Sequence, residues 1–144
     1  MKKNNVKLGM NESDFRKKLL GFLHKSPTPF HVVSDIAETL QQQDFAELKE
    51  VEKWDIEPGK YFVRRNDSSI IAFQLGQRPI EETGLRMVGA HTDSPGLKLK
   101  PLPIIRRKGL FQLGVEVYGG ALLNPWFDRD LSIAGRITKA TKNG

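Results

Sequence analysis

Apolar residues recur at helical spacing over the first forty or so positions. Phe15, Leu19, Phe22 and Leu23 fall at i, i+4, i+7 and i+8, which puts them on one face and predicts an amphipathic helix over 12–25. Asn11 or Ser13 offers a side-chain oxygen to cap it. Ser26-Pro27 ends this helix, because a residue before proline is driven out of the helical region. Thr28-Pro29 starts a second helix, since proline at the first position lacks only an N–H that would have no partner there. Phe30, Val33, Ile36, Ala37 and Leu40 form its buried stripe, and the polar run "QQQD" marks its last turn.

From Trp54 the period shortens to two. "KYFVRR" and "SIIAFQL" are rich in β-branched and aromatic residues and flank the turn-forming "NDS", which predicts a β-hairpin. "GQRPIEETG" reads as a loop. "LRMVGA" is a short apolar run ending in small residues, the pattern of a strand buried in a sheet covered on both faces. "LKLK" alternates strictly and predicts a strand with one wet face. Beyond Pro101 and Pro103, "LFQLGVEVY" alternates, Gly119-Gly120 breaks it, "ALLNPWFDRD" is irregular and "LSIAGRI" resumes strand character.

Two helices, a mixed sheet and then a nearly pure β region predict an α/β architecture passing into a β-rich unit, with the change near Pro101. The expected division is 1–100 and 101–144. The chain stops at "TKATKNG", directly after a predicted strand, and two or three strands in the last forty or so positions would leave open edges. The expectation is a segment of something larger.

Composition narrows the function classes. With 38% hydrophobic and 28% charged residues, the chain is globular and not disordered. It holds no cysteine, which excludes a disulfide framework, a thiolate metal site and a cysteine nucleophile. The basic start "MKKNNVKLGMNESDF" lacks the apolar block of a signal peptide, and no run approaches the roughly 20 apolar residues of a membrane span, so a cytoplasmic protein with no membrane partner is expected. Net charge is +6, yet the basic residues are scattered and no nucleic-acid motif accompanies them. A solvated basic surface, not a nucleic-acid stripe, is the expectation.

Chemistry concentrates at "VGAHTDSPG". His91 follows the predicted buried strand, and open α/β sheets place ligand sites at the carboxyl ends of their strands. Neutral imidazole is a common zinc ligand, and a ligating histidine usually gives its other ring N–H to a carboxylate or carbonyl. Asp93, two residues on, projects to the same side in an extended or turning backbone, and Pro95-Gly96 then turns the chain. H-x-D alone leaves two readings open, a metal ligand with its support and a structural pair.

The remaining candidates have simpler readings. His24 sits near a helix C-terminus, where a partly positive imidazole is favourable, and His31 lies in the first turn of the second helix. Gly119-Gly120 reads as a turn or bulge; Trp126 and Phe127 read as core, with an exposed anchor for a partner subunit as the alternative. In "WFDRDL", Asp128 and Asp130 would share one side of a strand and form an ion network around Arg129 rather than ligate metal.

"SPTPFHVV", "VGAHTDSPGLKLKP" and "GVEVYGGALLNPWFDRDLSIAGRI", in that order from about Ser26 to Ile137, resemble the M18 family of metallo-aminopeptidases, the aspartyl and vacuolar aminopeptidase group. The resemblance implies a zinc-dependent exopeptidase that removes an N-terminal residue, often an acidic one, from peptide substrates. It implies two zinc ions per complete active site, with His91 as a zinc ligand and Asp93 as the catalytic-site carboxylate supporting it. It implies the N-terminal part of a zinc-exopeptidase α/β sandwich running into the start of an inserted β-rich dimerisation domain, in a parent that is a homo-oligomer. Family members take the bridging aspartate, the base glutamate, further carboxylates and a second histidine from sequence after that insertion. The 144 residues are accordingly expected to be an N-terminal piece without activity of its own. The alternative is a non-catalytic fragment acting as an interaction or oligomerisation module.

Overall fold

The computed structural model describes residues 11–141. These form two compact units. One runs to Thr92 and takes up the chain again from Gly135; the other is Asp93–Ala134.

The first unit opens with α1, Glu12–Lys25. Asn11 caps it, its side chain accepting from the backbone N–H of Asp14 at 2.9 Å. Glu12 and Asp14 at the start, with His24 and Lys25 in the last turn, complement the helix dipole. The apolar face predicted for α1 is present but largely in water: Phe22 is half-buried, while Phe15, Leu19 and Leu23 are exposed. α2, Pro29–Gln41, begins with proline in its first turn and buries Val33 and Ala37, the centre of the predicted stripe.

β1 (Ala46–Leu48), β2 (Gly59–Arg65) and β3 (Ser69–Leu75) form a sheet in that order, parallel between β1 and β2 and antiparallel between β2 and β3. The β2–β3 hairpin is the one predicted, and its turn uses Asn66 and Asp67 at φ 51° and 52°. Asparagine and aspartate tolerate this left-handed backbone better than most residues. β1 was not expected, being only three residues long after a polar tract.

The core of this unit joins α2 to the central strand. Phe62 and Val33 are fully buried, with Ala37 and Val63 nearly so. Burying Phe62 contributes about 1.5–3 kcal/mol. Tyr61 and Phe73 stand opposite each other across β2 and β3, ring centroids 5.7 Å apart. At the β1 edge, Arg64 Nε donates to Glu47 at 2.8 Å, and Lys49 lies 3.2 Å from the same carboxylate. The Arg64 hydrogen bond holds the Glu47 carboxyl below its usual range, against the opposing effect of burial.

Beyond β3 comes α3, the single turn Ile80–Thr83, inside the stretch read as a loop. The buried strand predicted over 85–90 does not form. Met87 is 86% exposed, Val88 is fully exposed, and 84–95 enter no ladder among the described residues. An inner strand needs paired neighbours and a covering layer on each face; none of the described strands pairs with this run.

The second unit is built on β4 (Gly96–Arg107) and β5 (Leu110–Tyr118), an antiparallel pair. Lys108 and Gly109, at φ 50° and 76°, make the turn. The register shifts between Leu99 and Ile104, where Pro101 and Pro103, which lack N–H donors, sit in a bulge opposite buried Gly114. A Cβ on Gly114 would lie 3.3 Å from Ile105 Cδ1 and 3.5 Å from the Pro103 carbonyl. Gly119, at φ 67°, ends β5 in a bend, as its reading as a turn required.

After the 3₁₀ turn Asn124–Trp126, three expectations fail. "LSIAGRI" forms no strand, since no described strand pairs with it to complete a ladder. Phe127 is 62% exposed and not core, whereas Trp126 is half-buried, its ring edge near Gly96. Asp128 adopts φ 53°, which breaks the strand geometry that would have aligned it with Asp130. Arg129 donates instead to the Pro125 carbonyl at 3.1 Å.

Candidate metal site

His91 lies at the end of the first unit and is exposed. The residue after it is tied down: Thr92 Oγ1 donates to the Ser68 carbonyl at 2.9 Å, at the foot of the β2–β3 turn. Asp93, half-buried, opens the second unit, and Tyr118 Oη at the end of β5 donates to its Oδ2 at 2.7 Å. That hydrogen bond, reinforced by the carboxylate's charge, raises the Tyr118 phenol above its ordinary pKa. Lys98 Nζ lies 5.9 Å from the centre of the Tyr118 ring. One oxygen of Asp93 is thus engaged from the strand side.

The other histidines are placed elsewhere. His24 is in the last turn of α1, and His31 Nδ1 is hydrogen-bonded to Thr28 Oγ1 at 2.7 Å across the start of α2. Among the described residues, no three His, Cys, Asp or Glu side chains converge as a metal-holding group. As chemistry, then, the donor set fits one contribution to a zinc centre, an exposed imidazole with a hydrogen-bonded carboxylate two residues on. Among the described residues it does not make a complete centre.

Sequence reasoning missed Tyr118 and Thr92. Threonine two residues from a turn carries no spacing signal, and the Tyr118 contact depends on the bulge in β4.

Residues 22–144 match the family model described as aminopeptidase I zinc metalloprotease (M18). The chain belongs to the M18 peptidase family. Among curated M18 relatives, the probable M18 family aminopeptidase 2 of Stutzerimonas stutzeri strain A1501 is 61% identical over 121 residues, covering 83% of this chain and 28% of that protein. The crystal structure of yeast aminopeptidase 1 matches with a TM-score of 0.77 at 35% identity, over 83% of this chain and 29% of that one. The S. cerevisiae mApe1 dodecamer matches with a TM-score of 0.76 at 35% identity, over 84% and 29% respectively. The M18 chain described here therefore spans under a third of the length of these relatives. No helix among its described residues is long and apolar enough to cross a membrane.

Proposed function

We propose that this chain is the N-terminal part of a zinc-dependent M18 aminopeptidase that releases N-terminal residues, acidic ones among them, from peptides, in a cytoplasmic homo-oligomer. The observation that carries this is the family match over 22–144, which contains the His91–Asp93 pair. Support for assembly comes from the dodecameric relative. The β-rich stretch from Pro101 onward is then the start of an inserted oligomerisation domain. In its favour, β4 and β5 pair only with each other among the described strands, leaving both outer edges open for further pairing.

Within this proposal His91 donates an imidazole lone pair to zinc and Asp93 orients the ring, with Tyr118 fixing the carboxylate. Zinc, when bound, supplies the Lewis-acid chemistry of peptide hydrolysis. A two-metal centre needs more donors than one imidazole, so no hydrolytic step is assigned to these residues alone. The 144 residues by themselves are expected to show no turnover.

The test uses a chain carrying this segment at the length of its M18 relatives. His91→Ala should abolish tight zinc binding and release of an N-terminal Asp or Glu residue. Asp93→Asn should leave the fold intact and weaken zinc affinity by about 10–100-fold. Normal turnover by His91→Ala would remove the ligand assignment. A second reading, a non-catalytic interaction module, is favoured by the same open β edges; zinc stoichiometry after dialysis separates the two, because a module retains none at any length.

A further inference from the structure

Both places where the chain crosses between the two units are fastened to one tight turn. On the way out, Thr92 Oγ1 donates to the Ser68 carbonyl at 2.9 Å. On the way back, Arg136 Nη1 donates to the Asn66 carbonyl at 2.9 Å and to Asn66 Oδ1 at 3.0 Å. The Arg136 guanidinium also lies over the Phe30 ring, 4.3 Å from its centre, which ties the same residue to the first turn of α2. The turn itself is set by left-handed Asn66 and Asp67, by the Ser68 N–H donating to the Arg65 carbonyl at 3.2 Å, and by Arg64 lying 3.5 Å from Asp67.

His91 adjoins one of these fastenings. Consecutive Cα atoms are about 3.8 Å apart, so pinning Thr92 confines the backbone of His91 to the neighbourhood of the turn. This matters because residues 84–95 enter no ladder among the described residues. A sheet does not hold His91 in place; a side-chain hydroxyl on a hairpin turn contributes to doing so. Resting on the zinc-ligand role proposed for His91, we infer that the Asn66–Ser68 turn, with Thr92 and Arg136, is a positioning device that sets the His91 imidazole for zinc. Thr92 acts directly through the chain. Arg136 acts by holding the turn between the returning chain and Phe30. A guanidinium that lies over a ring while donating twice to one residue does a task that the compact lysine ammonium does not reproduce.

The inference is tested in a chain of full M18 length by zinc affinity against a competing chelator and by the visible spectrum of the cobalt-substituted protein. Thr92→Val keeps the shape and removes the hydroxyl; it should weaken zinc by about tenfold, the lower end for outer supports of a metal ligand, and alter the cobalt spectrum. Thr92→Ser keeps the hydroxyl and should restore both. Asn66→Gly preserves the left-handed turn and removes the side chain that carries Oδ1; with Arg136→Lys, it should weaken zinc in the same direction by a smaller factor. Both should also speed amide exchange at 91–92. Unchanged affinity and spectrum in Thr92→Val, while His91→Ala loses zinc, would overturn the inference and leave the zinc-ligand role standing. So would a Thr92→Ser variant as weak as Thr92→Val. If Thr92→Val does not fold, unchanged zinc affinity in Asn66→Gly and Arg136→Lys overturns it. Zinc retained by His91→Ala overturns both.

Discussion

Asp93 shares its carboxylate with a phenol, and this has a measurable consequence. The hydrogen bond from Tyr118 raises the pKa of that phenol above its ordinary 10. A raised folded value means the interaction is fully present below pH 10 and is lost as pH rises through the raised value. Absorbance titration at alkaline pH should therefore show one tyrosine ionising late, absent in Tyr118→Phe. Asp93→Asn should bring that titration back to the ordinary range. His91 and Asp93 stand out in the sequence as candidates because H-x-D lies between an apolar run and a Pro-Gly turn. Tyr118 was not. The Lys108-Gly109 turn alone would set Gly96 opposite Ala121, and only the bulge at Pro101 and Pro103 brings Tyr118 into that position.

Elements with strong local signals formed where the pattern placed them. α1 had a cap and a period, α2 a proline in its first turn and a period, and the β2–β3 hairpin had its turn residues. The runs at 85–90 and 131–137 show the opposite case. Their apolar composition is that of strands, but a ladder is made by neighbours, and none of the described strands pairs with them. β1 is held by neighbours despite its shortness. Its pairing to β2 is reinforced by Glu47 with Arg64 and Lys49. Because the Glu47 carboxyl is held below its ordinary 4.5, its contribution is complete above pH 4.5 and fades as pH falls through the lowered value. Glu47→Gln should flatten the acid side of the stability–pH curve measured by urea unfolding. The change should be no more than about 1 kcal/mol at neutral pH for a pair still near water.

At the scale of the whole molecule, the fully buried side chains are few. Val33 and Phe62 join α2 to β2, while the β4–β5 pair buries Gly114 alone. Phe62→Ala should cost about 3–5 kcal/mol and lower the thermal unfolding midpoint of the first unit, as circular dichroism would show. The same imbalance separates legible from illegible features. The Val33–Ala37 stripe was readable because its partner strand lies in the described chain. The apolar face of α1 is covered only in part, with Phe22 half-buried and Phe15, Leu19 and Leu23 exposed, and the apolar run at 85–90 enters no ladder among the described residues, so the pattern named these faces and not what covers them.

Thr92 and Arg136 bind backbone carbonyls only two residues apart, those of Ser68 and Asn66. In engineering terms, the side chains flanking residues 93–134 are anchored to one turn. That stretch can be cut out and Thr92 rejoined to Gly135 through a flexible linker, whose closure cost grows only slowly with its length. The resulting miniature should keep the exchange protection of Phe62 and Val63. The slot it leaves would then accept a foreign hairpin or reporter without rebuilding the scaffold.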